Sequence, residues 1–378
     1  MDVWFWRLIL LSLAGIIFSP KHCVSQEETG RKYKFMQDAT SAPRTSYYDY
    51  IIIGGGTAGC PLAATLSQNH SVLVLERGGS PYGNPNITNL SSFGVPLSNT
   101  SPSSPAQRFI SEDGVINSRA RVLGGGTCLN AGFYTRASRH YIREAGWEEN
   151  YIEASSGEHF NRGSQQDFGM FSPKIGQFSK LPPKQRTPEA IAKAIEKMES
   201  LEEEAFQGGF ILEKVNGPIS MGHLELNNTD PNENPLVTFN YFQDPRDLEK
   251  CIQGIRTIEK IIESKAFSPF KYNNMSVSRL LNITANSPVN LLPKHTNTST
   301  SLEQFCRDTV MTIWHYHGGC QVGRVVDRDY KVLGVDALRV IDGSTFNYSP
   351  GTNPQATLMM LGRYMGVKIL QERLVETK

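Results

Sequence analysis

The sequence lacks the features that mark several broad classes of protein. It has no apolar run of about 20 residues, the length that a helix needs to cross a bilayer. It has no basic excess that would favour nucleic acid or an anionic membrane as a partner, since 38 Lys+Arg face 37 Asp+Glu. Six cysteines occur without a Cys-x-x-Cys pair or a Cys/His cluster, so we expect no metal site. The 39% of hydrophobic residues is typical of a packed globular protein.

The first 25 residues are expected to be a secretory signal. Arg7 precedes an apolar run at residues 8–18, and small residues lead to Ser25. A membrane anchor over residues 4–18 is the alternative. Asn-X-Ser/Thr sequons favour a secreted, extracellular (cell wall) glycoprotein, although Asn69 and Asn347 lie in dense motifs and are expected to stay unmodified. The sequons are Asn69, Asn86, Asn89, Asn99, Asn227, Asn274, Asn282, Asn297 and Asn347.

A dense βαβ unit begins at Tyr47. Residues 49–53 are a short apolar run of the kind buried on both faces of a parallel sheet. Helix-like residues 61–67 and a second apolar run at 71–75 follow. The pattern predicts an α/β fold with a Rossmann-like domain.

Between the first strand and the helix stands a Gly-x-Gly-x-x-Gly motif. Gly54 allows a tight turn, Gly56 lets the backbone approach a pyrophosphate, and Gly59 permits close helix–strand packing. The helix start, at Thr57 and Ala58, offers free N–H groups to the phosphates. The motif predicts that an adenine dinucleotide binds here.

The second strand ends in Glu76, followed by Arg77. A carboxylate at this position can accept both hydroxyls of an adenosine ribose and disfavours a 2′-phosphate. FAD or NAD is therefore preferred over NADP, with Glu76 and Arg77 as candidate cofactor-binding residues.

A second Gly-rich segment, residues 120–133, closely resembles the first signature of the glucose–methanol–choline (GMC) oxidoreductases. In that family the segment runs beside the flavin, so the resemblance implies FAD rather than NAD. The implied cofactor-binding residues are Val122, Gly126, Thr127, Asn130, Ala131, Gly132 and Phe133.

The C-terminal half carries the same resemblance. Residues 217–226 look like the family's substrate-domain sheet, and residues 314–319, 341–344 and 352–355 look like its catalytic end. The sequences of these segments most resemble those of the plant branch of the family, which holds HOTHEAD-like proteins and mandelonitrile lyases. Further cofactor contacts are implied for Trp314, Asp342, Gly343, Gln355 and Ala356.

The resemblance implies oxidation of a small-molecule alcohol at its CH–OH group. By motif position His315 is the base and Asn353 orients the hydroxyl, while Ile313 faces the substrate and His317 is structural. A hydroxynitrile lyase is the alternative. Lyases of this branch place a His at the position of Asn353 and a Tyr at that of Ile313, which favours the oxidoreductase.

The resemblance also implies a disulfide between Cys251 and Cys306, with free thiols as the alternative. Cys60 and Cys128 lie inside Gly-rich motifs and are expected to be buried and unpaired.

The family's middle third is missing. Relatives continue after the Gly-Trp-Glu region with a long stretch before the equivalent of Tyr151, whereas here Asn150 joins it directly. We therefore predict an incomplete FAD-binding domain (47–150 and 331–375) and a truncated, antiparallel-sheet substrate-binding domain (151–330). We expect weak or absent FAD affinity and lost turnover, and a non-catalytic deletion or splice product is the third alternative.

The pattern of apolar residues predicts further elements. The expected helices cover residues 188–204, 247–264 and 355–370, and the expected strands cover 210–215, 223–226, 236–239 and 338–341.

Overall fold

The computed structural model of the chain describes residues 35–376, apart from 90–91, 93, 100, 102, 131, 149–210, 212 and 287–300. Several expectations lie outside the described residues: the signal at 1–25, the helix at 188–204, Ala131 and the sequon at Asn297. The chain divides into two units after Tyr47, and everything below belongs to the unit that begins at Tyr48. The division into FAD-binding and substrate-binding domains stays a prediction.

Strands and helices alternate at the start of the described chain, two strand pairs follow, and only helices follow the last strand. The described strands are β1 (Tyr50–Ile53), β2 (Val72–Leu75), β3 (Ala106–Ile110), β4 (Ile116–Ala120), β5 (His223–Glu225) and β6 (Leu236–Thr238). The described helices are α1 (Gly59–Leu66), α2 (Pro85–Thr88), α3 (Gly94–Ser98), α4 (Arg139–Glu144), α5 (Pro245–Glu263), α6 (Val277–Asn286), α7 (Leu302–Thr309) and α8 (Gln355–Glu376).

The predicted βαβ unit is present. β1 and β2 are parallel, with Tyr50 opposite Val72 and Ile53 opposite Leu75. The inner side of this pair packs on α1 and on the C-terminal helix α8, where Ile52 and Ile369 are buried together. These local patterns identified the elements because both strands are short apolar runs between clear turn signals.

Helix α8 lies against α1 because two glycines remove the side chains between them. A Cβ on Gly362 would lie 2.2 Å from the carbonyl oxygen of Ala58, and a Cβ on Gly366 would lie 2.7 Å from Cβ of Thr65. Any side chain at either glycine would push the helices apart. This contact joins the C-terminal end of the chain to the dinucleotide turn.

The other face of β1 and β2 is uncovered, contrary to the expectation that both faces are buried. Ile51 is 61% exposed, Ile53 83% and Leu75 48%. These three side chains share one face, since Ile51 pairs with Leu73 and Ile53 with Leu75. In the described residues the parallel sheet has two strands only. A two-stranded sheet covered by helices on one side cannot bury the apolar residues of its other side.

Two antiparallel hairpins accompany the parallel pair. β5 and β6 confirm the strands expected near residues 223–226 and 236–239. β3 and β4 form a hairpin that the apolar pattern did not indicate, closed at Asp113-Gly114. The Asp113 carboxylate accepts the backbone N–H groups of Phe239 and Asn240, which links this hairpin to the end of β6.

Two expected strands are absent from the described residues. Residues 338–341 contribute one bridge, between Arg339 and Lys331, rather than a strand. Residues 211 and 213–215 are irregular. Residues 210 and 212 lie outside the described residues. Apart from the bridge at Arg339, the described residues of both segments join no sheet, so an apolar run alone overestimated the regular structure.

Helix α5 forms where the helical spacing predicted it. Asp244 caps its first turn by accepting the N–H of Arg246, and Pro245 opens the helix. Leu248 of α5 packs with Phe242 and Cys306, and a disulfide joins Cys251 of α5 to Cys306 of α7. Within the described part of the chain, no helix combines the length and the apolar composition that crossing a membrane requires.

Candidate active site

The dinucleotide turn uses its three glycines for three different reasons. Gly54 has φ +99°, a backbone conformation that residues with a side chain rarely adopt. Its N–H donates to the Leu75 carbonyl at 2.8 Å. A Cβ on Gly59 would lie 2.1 Å from the Gly54 carbonyl oxygen. At Gly56 no protein atom lies within 4 Å of a Cβ and φ is ordinary. The fold therefore demands glycine at Gly54 and Gly59, whereas Gly56 faces the open space where a pyrophosphate would lie.

Glu76 ties the turn to the end of β2. Its carboxylate accepts the N–H of Gly55 at 2.9 Å and that of Gly78 at 2.7 Å. A carboxylate offers about four lone-pair sites, so two remain for ribose hydroxyls. Arg77 points to other partners: its guanidinium donates to Gln107 and to the carbonyl of Pro231.

The second Gly-rich segment packs directly on the first. The N–H of Gly124 donates to the Gly55 carbonyl at 2.6 Å, and a Cβ on Gly125 would lie 2.7 Å from Cα of Gly56. The hydroxyls of Thr57 and Thr127 are 2.9 Å apart. The two motifs that the sequence placed about 70 residues apart thus form one surface.

Predicted cofactor contacts from two distant parts of the chain meet beside this surface. The Asn130 amide donates to the Thr127 carbonyl at 2.6 Å and to Gln355 at 2.9 Å, and its oxygen accepts the N–H of Gly132. Gly126 faces open space, as Gly56 does. Val122 and Ala356 are buried, and Phe133 is half-buried.

Asp342 and Gly343 form a short turn beside the catalytic segment. The Asp342 carboxylate accepts the N–H and the hydroxyl of Ser344, at 2.8 and 2.5 Å. A Cβ on Gly343 would lie 3.2 Å from the carbonyl oxygen of Tyr316, so a side chain there would require the neighbouring backbone to shift by a few tenths of an ångström. The turn therefore packs against the segment that carries His315.

The predicted catalytic pair comes together. Nε2 of His315 is 3.5 Å from the amide nitrogen of Asn353, although 38 residues separate them. His315 follows Trp314, a non-glycine residue with φ +59°, in an irregular segment. Backbone in this region is strained, and such residues concentrate at functional sites. Ile313 is half-buried next to them.

Burial is the main reason why the His315 ring resists protonation. Together with the positive charge of Lys214 and the neighbouring His317, it lowers the pKa of His315 from 6.5 to about 4. The ring is therefore neutral near pH 7, as a proton acceptor must be. Nδ1 of His317 lies 3.2 Å from the His315 carbonyl oxygen, so the second histidine contacts the backbone.

Sequence reasoning missed Lys214. Its Nζ is 3.1 Å from Nδ1 of His315 and 3.3 Å from the Thr352 carbonyl oxygen. The only signal was its place just before Gly217-Pro218, a stretch interpreted as sheet rather than as part of the site. The chain brings Lys214 to His315 across 101 residues, a contact that no local pattern encodes.

Comparisons with known proteins identify the family of the chain. The family model described as GMC oxidoreductase matches residues 218–362. Protein HOTHEAD of Arabidopsis thaliana is 34% identical over 534 residues, covering 89% of this chain and 90% of that protein. The chain belongs to the GMC oxidoreductase family. The "(R)-mandelonitrile lyase-like" protein of Arabidopsis thaliana is 32% identical over 542 residues, covering 97% and 98% of the two chains.

A solved structure agrees on the fold. A mutant of the formate oxidase of Aspergillus oryzae RIB40, solved to show the effect of the mutation on FAD modification, superposes with a TM-score of 0.59 at 13% identity. The superposition covers 88% of this chain and 99% of that one. The predicted fold class is thus confirmed, and membership of the GMC family supports FAD as the expected cofactor. Gly56 and Gly126, which face open space without protein neighbours, fit a cofactor that approaches the backbone closely.

The alignment with protein HOTHEAD also shows how many family positions this chain lacks. It extends over 534 positions while covering 89% of 378 residues, which is about 336 residues. About 200 positions, the difference between 534 and 336, therefore have no residue of this chain opposite them. This agrees with the expected loss of a long family stretch and with the uncovered sheet face.

The described cysteines differ in state. Cys251 and Cys306 are joined, with 2.20 Å between their sulfur atoms. Cys60 and Cys128 are unpaired as expected but half-buried rather than buried. Their thiols donate to the carbonyls of Gly55 and Leu123, inside the two Gly-rich motifs.

Proposed function

We propose that this chain carries the active site of an FAD-dependent oxidoreductase that oxidises the CH–OH group of a small alcohol. The observation that carries the proposal is the approach of His315 and Asn353 to 3.5 Å, beside the two packed Gly-rich motifs. FAD, when bound, supplies the acceptor for the hydride that leaves the alcohol carbon.

The side chains of the pair suit the two remaining tasks. The alcohol must lose its hydroxyl proton, and a neutral His315 accepts a proton at a ring nitrogen that keeps its lone pair. The Asn353 amide donates to the substrate oxygen and stabilises negative charge that develops there. A positioned base of this type contributes about 10²–10⁴ in rate.

The shortened sheet sets the limit on this activity. The uncovered face at Ile51, Ile53 and Leu75 lies on the strands that carry the dinucleotide turn. A domain is stable by only about 5–15 kcal/mol, and leaving the apolar side chains of one sheet face in water forfeits a large part of that. We therefore expect the catalytic pair to persist while FAD binds weakly.

Flavin content tests the proposal directly. The secreted protein is purified, its flavin absorbance measured, and FAD added in excess before anaerobic mixing with a panel of alcohols. Bleaching of the flavin by an alcohol, lost in His315→Gln, supports the proposal. A chain that shows no spectral change with any concentration of FAD would instead be the non-catalytic product.

A hydroxynitrile lyase is the second candidate, favoured by the 32% identical lyase-like relative. Against it stand Asn353 and Ile313, where the lyase branch carries His and Tyr. Release of cyanide from mandelonitrile without flavin bleaching identifies a lyase, whereas bleaching without cyanide release identifies the oxidoreductase.

We also propose that the chain is secreted and glycosylated. The signal-like N-terminus, the sequons and the disulfide support an oxidising compartment. Asn86 and Asn89 are exposed sequons, and so are Asn69 and Asn347, which we expected to be unmodified because of their motifs. Peptide N-glycosidase treatment followed by mass spectrometry of the secreted protein identifies the modified positions.

A further inference from the structure

Lys214 contacts the His315 ring at a position where its hydrogen bond can determine which ring nitrogen carries a proton. Its Nζ contacts Nδ1 of His315 at 3.1 Å, and Nε2 on the opposite side of the ring faces Asn353. The same Nζ contacts the carbonyl of Thr352, the residue before Asn353, at 3.3 Å. One lysine thus connects the two segments that carry the proposed catalytic pair.

The hydrogen-bonding capacity of each group restricts the arrangement. An ammonium group has three N–H donors and no lone pair, whereas a neutral imidazole has one N–H and one lone pair. The Thr352 carbonyl accepts one N–H of Lys214. Another N–H can bond to Nδ1 only when the lone pair is there, which places the ring proton on Nε2. Lysine is normally charged near pH 7, so this is the ordinary state.

We propose that Lys214 is a positioning residue that holds resting His315 as the Nε2–H tautomer, with a donor rather than a lone pair facing Asn353. Asn353 then accepts through its amide oxygen. The two ends of an amide are interchangeable in the observed geometry, so the 3.5 Å contact fits this arrangement as well as the reverse one.

The tautomer controls when His315 can act as a base, and this catalytic meaning rests on the proposed function. Nε2 takes a hydroxyl proton only if the ring proton is on Nδ1, and Nδ1–H needs an acceptor. The uncharged amine of Lys214 has the lone pair to accept it. One proton must therefore pass from Lys214 to solvent while the ring proton moves from Nε2 to Nδ1. Besides Lys214, His317 is the titratable group of the described residues whose charge acts on His315, and its ring contacts the His315 carbonyl.

Nitrogen-15 NMR of the histidine rings in the secreted, full chain measures the tautomer without any need for FAD. Comparison with His315→Gln identifies the His315 signals. We expect a proton-bearing Nε2 and an acceptor Nδ1 near pH 7. In Lys214→Met, which lacks donors, we expect signals averaged over both tautomers and a higher pKa of His315.

Two variants serve as controls. Lys214→Arg keeps a charged donor and should preserve the Nε2–H signals. Lys250→Met removes a lysine that contacts Gly217 and Asp247 instead, at 3.0 and 3.5 Å, and should leave the His315 signals unchanged. Preserved signals in both, with averaging in Lys214→Met, support the role of Lys214.

A proton on Nδ1 in the unmodified chain overturns the proposal, and so does an unchanged tautomer in a folded Lys214→Met protein. If Lys214→Met does not fold, the measurement on the unmodified chain decides alone. Failure to bind FAD would refute the proposed function but would not alter the tautomer, so the two failures are distinguishable.

Discussion

Two glycines of the dinucleotide turn separate what the fold demands from what a ligand demands. At Gly59 a Cβ would lie 2.1 Å from the Gly54 carbonyl oxygen, so the polypeptide itself excludes a side chain. At Gly56 a Cβ would meet nothing within 4 Å, and the backbone conformation is ordinary. Alanine at these two positions should therefore have opposite effects on folding and on FAD binding.

The magnitudes follow from the two environments. Gly59→Ala overpacks the turn and should cost about 1–3 kcal/mol, so its melting temperature falls with and without FAD. Gly56→Ala should leave the FAD-free protein unchanged or more stable by about 0.4–1 kcal/mol, because alanine restricts the unfolded chain. FAD at about 100 times its Kd stabilises the unmodified chain by about 2.7 kcal/mol. Gly56→Ala should lose this gain because its methyl group fills the space meant for the pyrophosphate.

Thermal unfolding, without FAD and with FAD at about 100 times the Kd of the unmodified chain, measures both effects. Gly79→Ala is the matched control, since Gly79 also has open space around it but lies outside the turn. It should keep the full response to FAD. An equal response of Gly56→Ala and Gly79→Ala would refute the assignment of the turn to the pyrophosphate. A chain whose transition never responds to FAD would refute binding altogether.

Three further outcomes are expected. Replacing Cys251 and Cys306 together by serine should destabilise the chain by up to about 4 kcal/mol, seen as a lower melting temperature, because the bridge closes a 55-residue separation. The contribution of His315 to stability should rise from about pH 4 to 6.5, because in this range the unfolded chain binds a proton at His315 that the folded chain does not. His315→Gln should remove that component from urea midpoints measured across this range. Asn353→His combined with Ile313→Tyr should increase cyanide release from mandelonitrile over alcohol-dependent flavin bleaching, and unchanged ratios would count against these positions as the determinants.

Local patterns were sufficient for the first part of the fold and for α5. β1, α1 and β2 follow each other with a turn motif between them, so periodicity and glycine spacing define them without knowledge of distant partners. The hairpin of β3 and β4 was missed although Asp113-Gly114 is a strong turn signal. Its strands alternate weakly, and Asp113 acts mainly through its bonds to Phe239 and Asn240, far away in the sequence.

Burial and the full composition of the site depend on such distant contacts. The apolar residues of β1 predicted two covered faces, yet whether the second face is covered depends on strands elsewhere in the chain. Lys214 reaches His315 through tertiary structure alone. His315 and Asn353 were found because their motifs resemble a family, and no periodicity in this sequence would have paired them.

The contacts that hold His315 and Asn353 differ from those that hold the dinucleotide turn, so we expect the shortening to affect the two differently. Asn353 stands just before α8, and α8 is seated on α1 through Gly362 and Gly366. Lys214 then bridges the His315 and Thr352 segments. None of these contacts requires the uncovered face of β1 and β2. The same two strands, however, hold the Gly54 turn and Glu76, which must remain fixed for a dinucleotide to bind. Loss of sheet cover should therefore weaken cofactor affinity before it disturbs the catalytic pair.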